Sequence, residues 1–322
     1  MKKILIALAL LVSVQVVNAQ VKSVDAVKKA VETAEADAQN PKKNTKVATW
    51  LKLATTYMDA YEAPAGNVLV NSPRVQVQIM LGNERPSASE VVTVDGVNFK
   101  KEVYSTKNLY FDETDVLRII EITKPVYEDA LASALNAYVK AYEVDTKKSK
   151  LNDIKAGIQK VAEKYFNDGM NQYSIGDLKK AAALVAKSAA AAETAPNSVV
   201  DTTALYNAGF IYWAASDFES AKTYFEKCLA NNYYYENGET YAKLGDVYFK
   251  LGDNAKGVQT LETGFVKFPQ SQSILIGLIN YYLESGENTD RLFELIGEAK
   301  KNEPNNVSLY YVEGNIHKQL GN

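Results

Sequence analysis

Between residues 201 and 269 one pattern is written twice, and no other feature of the sequence limits the possible folds so tightly. Leu205, Gly209, Tyr212, Ala221 and Phe225 are answered by Tyr241, Gly245, Tyr248, Gly257 and Leu261 at a constant offset of about 36 residues. Each copy reads as two helices: apolar and aromatic residues at i, i+3, i+4 and i+7, a break at Ser216-Asp217 or Gly252-Asp253, then a second amphipathic run. Two such helices cannot bury their apolar faces alone, so copies of the pair have to stack. Gly209 and Gly245 fall where the helices of a pair cross, and the large residues beside them fill the groove of the next helix.

Weaker copies flank this core. Residues 151–172 form a long helix with Tyr165 and Gly169 in register, Ile175-Gly176-Asp177 turns it, and residues 178–192 supply an alanine-rich partner. Residues 271–304 repeat the pattern with Leu275, Leu278 and Tyr282, a turn at Ser285-Gly286-Glu287, and a second helix over 290–301. Residues 307–320 open one more unit, with Tyr310, Gly314 and the turn signal Gly321. A stop at that point predicts that the chain is cut short.

Upstream, a short amphipathic helix over 24–36 presents Val27, Ala30, Val31 and Ala34, and Asn40-Pro41 ends it. The helix over 45–61 shows Trp50, Leu53, Ala54 and Tyr57 at the spacing of the later first helices. Its second helix appears only at 126–144, through Ala134, Tyr138 and Ala141, so about 68 residues interrupt this first pair. The organisation predicted is a leader over 1–19, N-terminal helices and the first helix of the split pair over 20–61, an insertion over 62–125, the second helix and a linker over 126–150, and the array over 151–322.

The insertion changes period. Val75, Val77, Ile79 and Leu81 alternate with polar residues as in a strand, and a short helix ending at Gly82 fits nearly as well. Residues 90–94 and 97–104 flank Asp95-Gly96, a dipeptide that supplies the positive φ angles of a two-residue hairpin turn. Residues 108–111 and 117–123 read as further strands, turned at 112–114. A small antiparallel sheet on one end of the stack is expected, either as a cap or as a recognition element.

Residues 1–20 run from Lys2 and Lys3 through an apolar stretch to Val17-Asn18-Ala19, the plan of a secretory signal peptide cleaved after Ala19. The stretch is shorter than the roughly 20 apolar residues of a membrane span. No cysteine follows it to carry a lipid anchor, and no later segment is apolar enough to span. The mature chain is expected in an exported compartment, most simply a bacterial periplasm.

Composition removes several functions. A net charge of −3, with acids and lysines interspersed, argues against nucleic-acid binding. With one histidine and one cysteine, His317 and Cys228, neither a Cys-His pair nor a Ser-His-Asp triad assembles, and phosphate-binding glycine loops and metal-ligand spacings do not occur. No cofactor and no catalytic residue are predicted. His317 stands where Tyr212 and Tyr248 stand in earlier copies, which predicts packing. Cys228 stands at a small-residue position, which predicts inert burial.

The duplicated residues match the W-x2-L-G-x2-Y and A-x3-F signatures of the tetratricopeptide repeat, with Pro269 as the closing proline, and the chain resembles that family over this region. The resemblance implies a mostly α fold, a superhelical solenoid of helix pairs whose first helices line a concave surface. It places Phe166, Met170, Tyr173, Tyr206, Phe210, Trp213, Asp246, Phe249 and Lys250 along that groove. The family's groove for acidic C-terminal peptides uses lysine, asparagine and arginine, whereas this side is apolar apart from Lys250. Together these features imply an exported, non-enzymatic protein that binds a protein or peptide in the envelope. The alternatives are a structural scaffold of an envelope complex and, third, an enzyme or carrier acting on an envelope polymer such as glycan.

Overall fold

The computed structural model describes residues 21–94, 96–286 and 288–319. The leader over 1–19, Asp95 of the hairpin turn, Glu287 of the later turn and the terminal turn at Gly321 lie outside the described residues. In chain order the elements are α1 (Val24–Gln39), α2 (Val47–Glu62), α3 (Arg74–Leu81), β1 (Ala88–Val94), β2 (Val97–Val103), β3 (Lys107–Phe111), β4 (Leu117–Ile122), α4 (Ala130–Val144), α5 (Leu151–Ser174), α6 (Leu178–Glu193), α7 (Thr202–Ala214), α8 (Phe218–Ala230), α9 (Glu239–Lys250), α10 (Asn254–Lys267), α11 (Gln272–Ser285), α12 (Thr289–Asn302) and α13 (Val307–Gln319). The fold is a mostly helical, TPR-like solenoid with a small four-stranded antiparallel sheet near the N-terminus.

The same few residues turn the α5–α6, α7–α8 and α9–α10 pairs. Gly176, Ser216 and Gly252 take left-handed φ angles of 85°, 62° and 81°, and an aspartate follows each. The amides of Asp177, Asp217 and Asp253 donate back to Gln172, Tyr212 and Tyr248, closing the first helix. The same aspartates cap the second helix by accepting from the amides of Lys180, Ser220 and Lys256. Two sequence positions therefore stop one helix and start the next. Between the paired helices, a β-carbon on Gly209 would lie 3.0 Å from the Phe225 ring, and one on Gly245 would lie 2.6 Å from Leu261. The crossing is as close as the repeated glycines predict.

Successive pairs share cores. Ala181, Ala182, Val185 and Ala189 of α6 are buried with Leu205, Ala208 and Ile211 of α7 and Phe225 of α8, and Leu244 and Val247 of α9 close the same cluster. Small side chains on α6 allow α5 and α7 to pack on either side of it. Upstream, α2 packs on α4, and Leu53, Ala54 and Met58 share a core with Ala134, Tyr138, Ile158 and Tyr165. Helix α4 begins at Ala130, not at Val126, because Asp129 accepts from the Ala132 amide and starts the helix there.

The segment between α2 and α4 holds α3 and the sheet, with strand order β1-β2-β3-β4. Residues 74–81 are a helix, so the strand reading of the Val75 to Leu81 alternation is corrected. Pro73 precedes its first turn and Gly82 ends it. Val77 and Leu81, one helical turn apart, enter a core with Leu109, Phe111 and Leu117, while Val75 and Ile79 stay 70% and 76% exposed. Arg74 lies 3.9 Å over the Phe111 ring and pairs with Glu102 and Asp115, tying α3 to the sheet. The sheet runs beside α5, through β4, and Val94 at the hairpin tip meets the α5–α6 turn at Gly176.

Candidate functional site

The nine candidate residues do not form one uniform groove. Tyr206 is only 5% exposed and belongs to the core. Its ring stacks on Tyr235 at 4.0 Å and meets Phe225 at 5.8 Å, because the segment after α8 folds back over it. Burial in that aromatic nest pushes the Tyr206 hydroxyl well above its ordinary pKa. Tyr206 is therefore a packing residue, which corrects its placement along the groove.

Tyr173, Phe210, Trp213 and Asp246 do come together, across α5, α7 and α9. The Tyr173 and Phe210 rings lie 6.4 Å apart, and those of Phe210 and Trp213 lie 5.7 Å apart. The Trp213 indole N–H donates to Asp246 Oδ2 at 2.6 Å. All four are half-buried, as are Met170 and Phe166, which pack against the same core one and two turns back on α5. Phe249 is separate: it stacks on Tyr281 of α11 at 5.3 Å with planes 7° apart. Lys250 is exposed at the end of α9.

Lys243 completes the cluster and was not among the sequence candidates. Its ammonium sits 3.7 Å from the Trp213 ring centroid, 5.7 Å from Phe210 and 3.6 Å from Glu239 Oε1. The i, i+4 spacing of Glu239 and Lys243, with Asp246 three residues further on, is the signal that could have found it. An acid, a lysine and an acid on one helix face read as a solvated stripe until the Trp213 ring is known to lie against them.

A second polar contact joins the N-terminal pair to the array. The Tyr61 hydroxyl at the end of α2 donates to Asp168 Oδ1 of α5 at 2.8 Å. Burial pushes the Asp168 carboxyl up to about 6, and the pull of Tyr61, Lys164 and Lys180 in the other direction is too weak to offset it. A carboxyl with a raised folded pKa binds its proton more readily in the folded chain than in the unfolded one. Its ionisation therefore costs stability progressively from about pH 4 to about pH 6, and the full cost remains above that window. Asp168→Asn, which still accepts from Tyr61, is expected to raise stability at pH 7.5 by about 2 kcal/mol and to change it little at pH 4. Urea unfolding of both proteins at the two pH values measures this. An equal gain at both would show that the buried charge is not the cause.

Cys228 is fully buried and its thiol is pushed up to about 12, so it behaves as a small apolar residue, as its position predicts. His317 is exposed and leans on Phe293 at 4.6 Å, while its neighbour Ile316 is buried. The expected core packing of His317 is thus corrected to a surface ring contact. Among the described residues no group of three or more His, Cys, Asp or Glu is placed to hold a metal, and no helix is long and apolar enough to cross a membrane.

A sequence profile of the tetratricopeptide repeat family matches residues 202–233 and 238–264, which are α7 with α8 and α9 with α10. These two helix pairs are tetratricopeptide repeats. A comparison with curated proteins finds no match. Similar solved structures include YrrB, described as a TPR protein with an unusual peptide-binding site, at 22% identity over 58% of this chain and 86% of that one, TM-score 0.38. A tetratricopeptide repeat protein from Parabacteroides merdae matches at 17% identity over 60% of this chain and 68% of that one, TM-score 0.38. The Rap conjugation gene regulator of plasmid pLS20, in complex with the Phr* peptide, matches at 16% identity over 91% and 67%, TM-score 0.33.

Proposed function

We propose that the chain is an exported, non-enzymatic protein that binds a protein or peptide through the aromatic side chains its first helices share between neighbouring pairs. The observation that carries this reading is the contrast between Tyr206 and its neighbours. Tyr206 is sealed in the core, whereas Tyr173, Phe210 and Trp213 touch one another across α5 and α7 and stay half-exposed. Half-exposed aromatics in contact on rigid helices offer large contact area at little cost in side-chain entropy, which is the make-up of interface hot spots. Export rests on the charged start, apolar run and small residues of positions 1–20, and envelope location rests on export. The pairing of α2 with α4 around the sheet supports reading them as a further repeat opened by an insertion.

A scaffold is the second reading, and the ties of Trp213 to Asp246 and Lys243 favour it. They would make the cluster mortar between repeats. The two readings part on one experiment. Capture of envelope proteins by the mature chain is compared with capture by the Phe210→Ala, Trp213→Ala double variant, once both give the same helical spectrum. Binding through the cluster predicts at least a thirty-fold loss of affinity, since truncating hot-spot anchors costs about 2 kcal/mol or more. A folded double variant that holds the same partner as tightly would leave the cluster structural and turn attention to the sheet.

A further inference from the structure

The cluster between α7 and α9 has the composition of a cation receptor, and a cation already fills it. The Trp213 and Phe210 rings lie at 3.7 Å and 5.7 Å from an ammonium, Glu239 lies 3.6 Å from it, and Asp246 is fixed beside Trp213 by the indole hydrogen bond. Aromatic faces carry negative potential and attract cations most strongly where water is thinned, and the Lys243 side chain is only 18% exposed. Glu239 against the ammonium and Asp246 against the indole are two carboxylates to the one ammonium, so the cluster carries a formal charge of −1. The rings and acids are mounted on packed helices. The cation is the movable part, at the end of a four-carbon stem that can turn towards solvent without unfolding anything.

We infer that this cluster is a subsite for a lysine or arginine side chain of the bound segment, and that Lys243 occupies it while no segment is bound. The inference rests on the binding role proposed above and names the chemistry of what is bound. An incoming ammonium or guanidinium takes the position over Trp213, and the Lys243 ammonium moves out to water. No covalent bond changes. An acidic segment at the same place would meet Glu239 and Asp246 and be repelled, so the preference is opposite to that of a groove lined by lysine, asparagine and arginine.

The test removes the internal cation and offers an external one. In the full chain carrying 15N-labelled tryptophan, the Trp213 indole resonance reports the subsite. The Trp50 indole on α2, which donates to the Asn44 carbonyl at 2.7 Å, is the internal control. n-Butylammonium is titrated into wild type, Lys243→Ala and Lys243→Met. Lys243→Ala opens the subsite with a good helix former, and Lys243→Met keeps it filled with an uncharged chain of similar length. The expected result is that butylammonium moves the Trp213 resonance of Lys243→Ala at concentrations at least ten-fold lower than in wild type or Lys243→Met, while Trp50 stays still. Butanol and butyrate should have no such effect, and adding Glu239→Gln with Asp246→Asn should abolish the response. The inference is overturned if butanol acts as butylammonium does, or if wild type and Lys243→Ala titrate alike. A responsive subsite combined with undiminished capture by the Phe210→Ala, Trp213→Ala variant would instead remove the binding role and leave the receptor without a partner.

Discussion

Replacing Phe225 by alanine is expected to lower the stability of the array by about 4 kcal/mol, since truncating a fully buried phenylalanine costs roughly 3–5 kcal/mol. The side chain is 0% exposed. It lies under the α7 backbone at Gly209 and against the Tyr206 ring, so its loss opens a cavity bounded by backbone on one side and stacked tyrosines on the other. Neither wall can collapse into the space without breaking the α7–α8 crossing. The Tyr206–Tyr235 stack would lose its support, and the end of α8 should become the first region to exchange its amide protons. Urea unfolding monitored by circular dichroism measures the loss. A change below about 1.5 kcal/mol would mean that the α7–α8 pair is not held by the packing described.

The second large effect reverses an ordinary rule. Alanine stabilises an isolated helix relative to glycine by about 1 kcal/mol, yet Gly169→Ala in α5 is expected to destabilise by about 2 kcal/mol. A β-carbon there would lie 2.5 Å from Val185 Cγ2, 3.0 Å from the Val185 nitrogen and 3.1 Å from the Ala181 oxygen. The last two are backbone atoms of α6 and cannot rotate away, so the two helices would have to separate along a crossing lined with alanines. Gly297→Ala in α12 is the control. Beyond the backbone of its own helix no atom lies within 4 Å of that β-carbon, and the substitution should add about 1 kcal/mol. If Gly169→Ala were stabilising as well, the close approach of α5 and α6 would be wrong.

These two sites show why so much of the solenoid was legible. A stack of helix pairs is built from short-range rules, and each rule leaves its own mark. In the α5–α6, α7–α8 and α9–α10 pairs a glycine stands at the crossing, a larger residue opposite it, and a left-handed residue with an aspartate after it makes the turn. The Asp95-Gly96 signal likewise placed β1 and β2 on either side of it, with Val94 opposite Val97. The α3 segment was harder because four alternating apolar residues satisfy both periods. The choice was made by Val77 and Leu81 meeting Leu109 and Phe111 of the distant strand β3, a tertiary contact that local pattern does not carry.

The candidate site was legible in part for a related reason. Helical spacing places Tyr206, Phe210 and Trp213 on one side of α7, but it cannot say how far the downstream chain covers that side. The segment after α8 turns back through Tyr235, at φ 44°, and covers Tyr206 while leaving Phe210 and Trp213 half-exposed. Lys243 was missed because charge on a helix face is usually solvated. Its role depends on the neighbouring repeat bringing an indole ring within 3.7 Å. The exposure of His317, against the buried Tyr248 of the earlier copy, is likewise set by what each helix packs on and not by its register.

The proposed binding through the side chains shared by α5, α7 and α9 is tested most directly by capture of a partner from an envelope extract by the wild-type chain and by the folded Phe210→Ala, Trp213→Ala variant, read as dissociation constants for the same retained partner. Loss of thirty-fold or more, with helical content unchanged, is the predicted result. Equal affinity in two equally folded proteins would contradict it, and would make those rings part of what holds neighbouring repeats together.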